Sequence, residues 1–368
     1  MASDNEWSVL REVILGSARG FESYHVEPSF VLFFFENLAN MGHIPACSQS
    51  NLSKRTLIGI ARQLVEELEE DLAGLEDALV SRGVIVHRPV SMKRQVEIAS
   101  PFWASWSYPA LNIRDLAIVI GDTIVETAPH VRGRIFENDY LKPILYEYFN
   151  SGSRWISMPR PALTKGSLDY SYYSSSESML AALTADDLAL QIDGLAYEIV
   201  IDGANCVRLG RDILVNVGNS NHELGLRWLE REFPQYQFHA LWRFADNHVD
   251  SIICALGPGR ILLRSSEYTS LLPTFLHEWE VLIPPADAFS SEGSSLVGVG
   301  ELPNLASGFI DMNVLSLDEK TVVVNSLSPR LCEFLSKAGY EVVPVRHRHR
   351  RLFAGGFHCF TLDTVRGA

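Results

Sequence analysis

Cysteine is scarce in this chain and shows no paired spacing. The 368 residues contain five cysteines, an odd number, at long spacings and without a CxxC motif. A disulfide framework needs paired cysteines and a structural zinc site needs closely spaced ligands, so the sequence indicates neither. Thiols without such a pattern are typical of a reducing compartment, and we expect a cytoplasmic location.

Positive charge and long apolar runs are also lacking. Lys and Arg total 31 against 45 Asp and Glu, which gives a formal net charge of −14. Nucleic-acid binders draw most of their affinity from a basic surface, so nucleic acid is not an expected partner. The longest apolar runs, such as residues 30–35, are too short to cross a bilayer. The polar, acidic N-terminus resembles neither a signal peptide nor a transit peptide, and we expect no membrane association.

The residues that are present predict one large α/β domain spanning 1–368. The chain is 47% hydrophobic, and strand-like, hairpin-like and helical patterns recur without a linker rich in Pro, Gly or Ser. Ser17–Ser53 is irregular and aromatic, and is interpreted as a loop or broken helix that could form a lid. Predicted strands are 7–16, 84–87, 154–158, 195–201, 212–217, 321–325 and 341–345, predicted hairpins are 116–126 and 251–263, predicted helices are 54–81, 141–150, 222–233 and 329–337, and residues 163–185 are predicted to be loop.

A candidate nucleophile lies near the C-terminus, in the stretch Gly355-Gly356-Phe357-His358-Cys359. Two glycines let the backbone turn where a side chain would block it, which can present the thiol of Cys359. For an isolated cysteine the alternative is a buried structural residue. The choice depends on whether a base, and a group that orients that base, can be found elsewhere.

Polar residues stand at the ends of several strand-like segments and supply such partners. Asp115 precedes an apolar run, Asp202 ends one, and His248 and Asp250 precede another. His248 and Asp250 are two residues apart, so on a strand they would share one face. Carboxylates around a thiol raise its pKa and disfavour the thiolate. The arrangement is therefore reasonable if the substrate is a cation such as a guanidinium, which carboxylates bind in a planar, bidentate way.

Short motifs recur in one order along nearly the whole chain: Asn5-Glu6-Trp7, Glu12-Val13-Ile14-Leu15-Gly16, Arg114-Asp115, Ile124-Val125-Glu126, Arg132-Gly133-Arg134, Tyr148-Phe149, Gly152-Ser153-Arg154-Trp155, Asp202-Gly203-Ala204-Asn205, Arg208, Glu223-Leu224-Gly225, Trp228-Leu229, His248-Val249-Asp250, Met312-Asn313-Val314-Leu315, Asp318-Glu319 and Gly355-Gly356-Phe357-His358-Cys359. With these motifs the sequence resembles the L-arginine amidinotransferases, whose members use glycine, inosamine phosphate or lysine as acceptor. No single motif is decisive, but their number and order are specific.

The resemblance implies a fold and a site. The implied fold is a five-bladed α/β propeller, the pentein-like arrangement of pseudo-repeats around a central active site. The implied catalytic set is Cys359, His248 and Asp202, with Asp115 and Asp250 binding the guanidinium and Ser307 contacting substrate. The implied chemistry passes the amidino group of L-arginine through a covalent amidino-cysteine to an amine and releases L-ornithine. It needs no cofactor and no metal, its partners are small molecules, and a homodimer is possible.

The acceptor is the least specified part. The glycine and inosamine branches of the family carry an arginine shortly after the hairpin, and Glu267 stands at that position here, with Arg264 three residues earlier. This exchange of charge favours an acceptor with a second cation, so lysine is expected ahead of glycine or an aminocyclitol in specialised metabolism. The alternative is that Arg264 substitutes from its neighbouring position and binds the substrate.

Other readings stay open at this point. The rival activity is an arginine deiminase, in which water replaces the amine, and the non-enzymatic alternative is a scaffold that has lost the chemistry. Asp115 could instead pair with Arg114, and Ser307 could be a plain loop residue. Arg132 and Arg134 are expected in exposed ion pairs. The run Arg346–Arg351 is expected to be solvated, with an alternative in which part of it lines the entrance and lowers the pKa of Cys359.

Overall fold

The computed structural model describes residues 1–34, 57–169, 196–245, 248–289, 295–296, 300–301 and 303–367. Within these ranges the chain forms five three-stranded sheets. Sheet 1 contains Leu10–Leu15, Ile85–His87 and Thr361–Arg366; sheet 2 contains Ala117–Ile120, Thr123–Glu126 and Arg154–Ser157; sheet 3 contains Cys206–Leu209, Asp212–Val217 and Gln237–Trp242; sheet 4 contains Ile253–Gly257, Arg260–Leu263 and Glu280–Leu282; sheet 5 contains Leu315–Ser316, Thr321–Asn325 and Glu341–Val345.

The five sheets share one pattern of strand pairing. In sheet 2, Ala117–Ile120 and Thr123–Glu126 form an antiparallel hairpin, and the second strand pairs in parallel with Arg154–Ser157. The other four sheets each combine one antiparallel and one parallel pair in the same way. A parallel pair needs a crossover connection. In sheets 1, 2, 3 and 5 that connection contains an α-helix. Sheets 2, 3 and 5 follow the chain order strand, strand, helix, strand, whereas sheet 1 takes its antiparallel strand, Thr361–Arg366, from the end of the chain.

The helices are Pro28–Phe33, Arg62–Val80, Ile113–Leu116, Lys142–Asn150, Ser220–Glu232 and Pro329–Lys337. The longest, Arg62–Val80, buries leucines spaced three or four residues apart, which form the apolar stripe of a helix packed on a core: Leu64, Leu68, Leu72, Leu75 and Leu79. Gly83 follows with a φ of 80°, a left-handed conformation that glycine adopts without strain. Short two-stranded sheets complete the strands: Ser23–His25 with Leu57–Gly59, Glu97–Ala99 with Ala104–Trp106, and Ser295–Leu296 with Gly300–Glu301.

Most predicted elements agree with this structure, and three differ. The helix predicted over 54–81 begins at Arg62, because Leu57–Gly59 instead pairs with Ser23–His25 as a strand. In the described part of 195–201, only Ile201 makes a bridge, to Ala128, and the strand lies further on at Cys206–Leu209. The region 17–53 contains the helix Pro28–Phe33, and its residues 35–53 lie outside the described ranges, as do residues 170–185 of the predicted loop.

The basic run 346–351 is not the solvated segment that its composition suggests. Arg346 and Arg348 both place Nε within 3.1 Å of Asp71 Oδ1, on the helix Arg62–Val80. Arg350 is fully buried, with its Nε 2.7 Å from Asp311 Oδ1. The arginines of this run therefore bind the carboxylates of Asp71 and Asp311, which lie far away in the sequence, and these ion pairs hold the C-terminal segment against the core. None of the helices in the described ranges is long and apolar enough to cross a membrane.

Candidate active site

The predicted polar positions lie in equivalent places on different sheets. Asp115 precedes the first strand of sheet 2, Asp202 that of sheet 3 and Asp250 that of sheet 4. Asn313 precedes Leu315–Ser316 of sheet 5, and Cys359 precedes Thr361–Arg366 of sheet 1. Asp115 and Asp250 sit in short helical turns and Asp202 caps one, so the turn before each strand carries a functional side chain. The expectation that His248 and Asp250 share a strand face is wrong, because Asp250 belongs to a turn.

Cys359 is held from its backbone by Asn313. The Cys359 N–H donates to Asn313 Oδ1 at 2.8 Å, and Asn313 Nδ2 donates to the Asp250 carbonyl at 3.2 Å. A Cβ atom on Gly356 would lie 2.5 Å from the Asn313 Cβ atom, which real contacts do not allow. Gly356 is therefore needed for close approach to Asn313, since its φ is not positive. Asn313 was not among the predicted site residues, although it stands in the Met-Asn motif.

The thiol of Cys359 lies among carboxylates. Its Sγ is 3.5 Å from Asp250 Oδ2, and the residue is 3% exposed. Burial raises the pKa of Cys359 well above its ordinary value, and the negative charges of Asp250 and Asp115 raise it further. The thiol form therefore dominates at neutral pH, and a cation bound against these carboxylates would favour the thiolate.

His248 and Asp202 meet as an acid–base pair. His248 Nε2 lies 2.9 Å from Asp202 Oδ2, and His248 Nδ1 lies 3.6 Å from Asp115 Oδ1. Burial lowers the pKa of His248, but the charges of Asp115 and Asp202 outweigh it and raise the pKa to about 9. His248 is therefore cationic at neutral pH. Phe33 packs edge-on against the imidazole, at 5.1 Å between ring centroids.

Asp115 pairs with Arg134 rather than with Arg114. Arg134 donates to Asp115 Oδ2 at 2.5 Å and to Glu137 Oε1 at 2.9 Å, and all three side chains are buried. Burial raises the pKa of Asp115 despite these cations. Arg132 is also buried and donates to the Leu163 carbonyl. The prediction of exposed ion pairs for these arginines is wrong, because both guanidiniums satisfy buried acceptors beneath the site.

His358, the neighbour of Cys359, is a site residue that sequence reasoning missed. Its Nδ1 is 2.8 Å from Asp250 Oδ2, and its Nε2 is 2.8 Å from Glu6 Oε2. Burial and Arg114 lower the pKa of His358, and the two carboxylates raise it overall. His358 thus holds one oxygen of Asp250 in place. Its adjacency to Cys359 was visible in the sequence, but its pairing with Glu6 was not.

A cavity of about 360 Å³ opens onto the thiol. Its described lining includes Cys359, His248 and Asp250, the predicted ligands Ser307 and Arg264, and Arg243. Ser307 Oγ accepts a hydrogen bond from the Phe309 N–H at 3.3 Å, and the Arg264 guanidinium lies over the Tyr268 ring at 4.9 Å. Asp202 and Asp115 lie behind His248, and Asp115 lines an adjoining cavity of about 30 Å³ with Arg134.

Glu267 does not line this cavity. Its side chain is exposed, and the cavity lining instead contains Arg264 and Arg243. Glu267 therefore lies outside the described lining of the cavity, whereas Arg264, the alternative ligand, lies within it, and the residue that binds the acceptor stays a prediction.

One group of side chains could approach a metal ion. Ligand atoms of Asp115, Asp202 and His248 lie within 4.8 Å of one another. Arg134 already neutralises Asp115, and the Asp202 oxygen faces imidazole nitrogens. These partners suit acid–base chemistry, and we interpret the group in that way rather than as a metal centre.

Known proteins are similar in sequence to this chain over nearly its whole length. Inosamine-phosphate amidinotransferase 1 of Streptomyces griseus is 33% identical over 99% of this chain and 96% of its own. The chain belongs to the amidinotransferase family. L-arginine:L-lysine amidinotransferase of Pseudomonas savastanoi pv. phaseolicola is 28% identical, covering 100% of this chain and 94% of its own. No protein-family model matches this amidinotransferase.

Solved structures are also similar to this chain. The inosamine-phosphate amidinotransferase StrB1 from Streptomyces griseus superposes with a TM-score of 0.80 and 31% identity, over 100% of this chain and 97% of that one. DDAH from Pseudomonas aeruginosa superposes with a TM-score of 0.56 at 11% identity, over 96% and 99% of the two chains, a likeness of fold alone. The amidinotransferase thus has the pentein fold, and it is an enzyme that transfers amidino groups.

Proposed function

We propose that this amidinotransferase takes the amidino group of L-arginine onto Cys359 and passes it to an amine acceptor, releasing L-ornithine. The observation that carries the proposal is a pair of buried carboxylate oxygens near the thiol. Asp250 Oδ1 and Asp115 Oδ1 accept no hydrogen bond from the described residues, and Asp115 Oδ1 has only the ion-pair distance of 3.6 Å to His248 Nδ1. Buried acceptors without donors are costly, and the N–H groups of a planar guanidinium would satisfy both.

Guanidinium binding also explains the charge of the site. The free enzyme holds Cys359 as a thiol because burial and two carboxylates raise its pKa. A bound guanidinium adds positive charge beside the sulfur and neutralises those carboxylates, so it lowers the pKa of Cys359. The nucleophile is therefore activated by the substrate that it attacks.

The covalent steps follow from the positions of the side chains. When the guanidinium binds, the Cys359 thiol releases its proton to solvent, because His248 is already cationic. The thiolate then attacks the central guanidinium carbon, forming a C–S bond as a C–N double bond becomes single. His248, cationic with a pKa of about 9, gives a proton to the departing amine, the C–N bond breaks and ornithine leaves. The proton comes from Nδ1, since Nε2 faces Asp202, which orients the ring. The acceptor amine then loses a proton to His248 and attacks the amidino carbon, and C–S cleavage regenerates the thiolate.

The acceptor is proposed to carry an anionic group as well as its reacting amine. Arg264 and Arg243 line the cavity that contains Cys359, and guanidiniums bind carboxylates and phosphates. Lysine, glycine and a phosphorylated aminocyclitol all carry such a group and differ in its distance from the amine. Lysine, expected first from the sequence, loses the support of Glu267 but remains a candidate.

An arginine deiminase is the second candidate, and one assay separates the two. Purified protein is incubated with arginine, with and without an amine, while ornithine, citrulline and the intact mass are followed. We expect ornithine release and the gain of one amidino group on the peptide containing Cys359. Catalytic accumulation of citrulline would instead support the hydrolase, and an inert protein would support a scaffold.

Broader features of the enzyme stay proposals. A single domain over 1–368, closed as a five-bladed propeller, is supported by the repeated strand pairing of sheets 1 to 5. A cytoplasmic location rests on the cysteine pattern, and a homodimer and a role in specialised metabolism rest on the family resemblance.

A further inference from the structure

Two histidines outside the proposed catalytic set form a chain behind Asp202. His130 Nδ1 lies 3.2 Å from Asp202 Oδ2, the same oxygen that faces His248. His130 Nε2 lies 2.5 Å from His222 Nε2, and the two rings are nearly perpendicular, at 88°. The same Asp202 oxygen thus lies within hydrogen-bond distance of His248 Nε2 and at an ion-pair distance from His130 Nδ1.

A backbone amide determines which nitrogen donates and which accepts along this series of histidines. The Gly218 N–H donates to His222 Nδ1 at 3.0 Å, and a ring nitrogen that accepts a hydrogen bond carries no proton. The proton of neutral His222 is therefore on Nε2, from which it donates to His130. Because His130 Nε2 accepts this bond, the proton of His130 is on Nδ1, which faces Asp202.

His222 is well suited to remain neutral. It is fully buried in the first turn of the helix Ser220–Glu232, where its N–H donates to Asn219 Oδ1. Burial holds the pKa of His222 well below its ordinary value, and the neighbouring His130 lowers it further. A proton on His130 Nε2 would face the Nε2 proton of His222, so this geometry opposes a proton at that nitrogen.

We propose that His222 holds His130 in its neutral, Nδ1-protonated form, and that His130 is a positioning residue that fixes the Asp202 carboxylate against His248. This inference rests on the proposed function for its catalytic consequence. Both rings come from outside the turns that carry the proposed catalytic set: His130 follows the second strand of sheet 2, in the connection to its third strand, and His222 belongs to the helix of sheet 3.

The tautomer matters because of the charges around it. A cationic His130 would compete with His248 for the same Asp202 oxygen, and its positive charge would disfavour the cationic form of His248. The other charged groups near this chain are Asp115 and Arg134 beside Asp202, and Asp169 near His222. Loss of His222 would remove the donor that blocks protonation of His130.

Nitrogen NMR of the protein labelled with 15N-histidine tests the tautomers without any substrate. We expect His222 to show a protonated Nε2 and His130 a protonated Nδ1, each with one bare ring nitrogen, throughout pH 6 to 8. In His222→Phe, which keeps a ring in the space, His130 should gain a second proton as the pH falls. A doubly protonated His130 in the unaltered enzyme at pH 7 would overturn the inference.

Single-turnover release of ornithine from arginine tests the catalytic consequence. The release rate of His222→Phe should fall on the order of tenfold at pH 6 and little at pH 8.5, a small part of what an acid–base group contributes. His130→Asn in the same background keeps an amide donor toward Asp202 that cannot ionise, so it should restore the wild-type pH profile. His239→Asn is the matched control, because His239 pairs with Asp212 outside the site.

The outcomes separate this inference from the proposed function. An equal loss at every pH in His222→Phe, or no rescue by His130→Asn, would assign the two histidines a merely structural role. If the unaltered protein, incubated with arginine, neither releases ornithine nor gains mass, the proposed function is wrong. The NMR result then still decides the tautomers, and with them the positioning of Asp202.

Discussion

Asp250 Oδ2 lies 3.5 Å from Cys359 Sγ, so a nucleophile and a carboxylate share one buried site. A negative charge at this distance opposes formation of the thiolate. The carboxylate disfavours the thiolate of Cys359 in the free enzyme. A cationic substrate bound against the carboxylate would favour the thiolate. His358 holds the same Asp250 oxygen at 2.8 Å, which keeps the carboxylate ordered.

Asp250→Asn should make the free thiol more reactive while it weakens arginine binding. Removing the charge lowers the pKa of Cys359, so alkylation by iodoacetamide at pH 8 without substrate should speed up about tenfold. The rate is measured by mass spectrometry on the peptide containing Cys359. Cys332, half-buried elsewhere, is the internal control and should react at an unchanged rate. A slower or unchanged reaction at Cys359 would contradict the electrostatic account.

Cys359→Ala should abolish turnover and leave the fold intact, because alanine keeps the Cβ atom and removes only the sulfur, whose hydrogen-bond partner among the described residues is Asp250. Ornithine release and covalent labelling should both disappear, while circular dichroism and the melting temperature stay near those of the parent. Cys332→Ala is a matched loss of a thiol away from the site and should retain activity. Substantial ornithine release by Cys359→Ala would remove the nucleophile assignment.

Asp202→Asn should impair the chemical step more than arginine binding. The carboxylate raises the pKa of His248, so its loss should move the alkaline limb of the rate profile, near pH 9 in the parent, to lower pH. The sign follows because His248 acts as a cation that is lost as pH rises through its pKa. We expect kcat to fall on the order of 10²-fold or more, with a small change in KM for arginine. An equal loss of affinity would move Asp202 into the binding set.

Local signals predicted where the proposed site residues lie, and the family resemblance supplied their roles. Asp115, Asp202 and Asp250 adjoin β-branched or apolar runs, and Cys359 follows paired glycines, and in the structure each of them precedes a strand. The five sheets were not visible as a sequence repeat. A strand needs only a short run of apolar residues, and many sequences satisfy that requirement without resembling one another.

Long-range pairs could not be predicted from local patterns. His358 contacts Glu6, which is 352 residues away in the sequence, and the basic run contacts Asp71, which is 275 or more residues away. Charge runs are usually solvated, and the sequence holds no sign that these carboxylates fold against them. The His130–His222 chain was missed for the same reason, since its residues are 92 positions apart and neither stands in a recognisable motif.

Arg264→Gln should raise KM for acceptors that carry a carboxylate or phosphate. Arg264 lines the cavity, and a charged hydrogen bond contributes about 1.5–3 kcal/mol, which corresponds to roughly 10- to 100-fold. Steady-state kinetics with lysine, glycine and aminocyclitol phosphates at fixed arginine measure the change. Glu267→Gln is the matched control and should leave the acceptor order unchanged, because Glu267 is exposed outside the cavity. If Glu267→Gln alters the order of acceptor preference and Arg264→Gln does not, Glu267 rather than Arg264 selects the acceptor.

Asp363→Asn should destabilise the fold strongly. Asp363 is fully buried, and three guanidiniums converge on it: Arg208 at 2.6 Å, Arg114 at 2.7 Å and Arg366 at 2.5 Å. Without Asp363, three buried guanidiniums share Glu6, which lies 3.4 Å from Arg208, so their charge is poorly compensated at a cost of about 3–5 kcal/mol. Urea unfolding should show this loss at pH 7, whereas Asp139→Asn, in an exposed pair with Lys142, should leave the midpoint unchanged.

The effect of Asp363 on stability should also depend on pH in a defined direction. Burial raises the pKa of Asp363, but the three guanidiniums outweigh it and hold the pKa well below its usual range. A depressed pKa contributes stability that is fully present above the unfolded value, about 3.9, and is lost as pH falls toward the folded value. The unfolding free energies of the parent and Asp363→Asn should therefore stay well separated from pH 7 down to about pH 4 and converge only below it. Convergence already at pH 6 would show that the carboxylate is protonated in the native state and that the guanidiniums are compensated elsewhere.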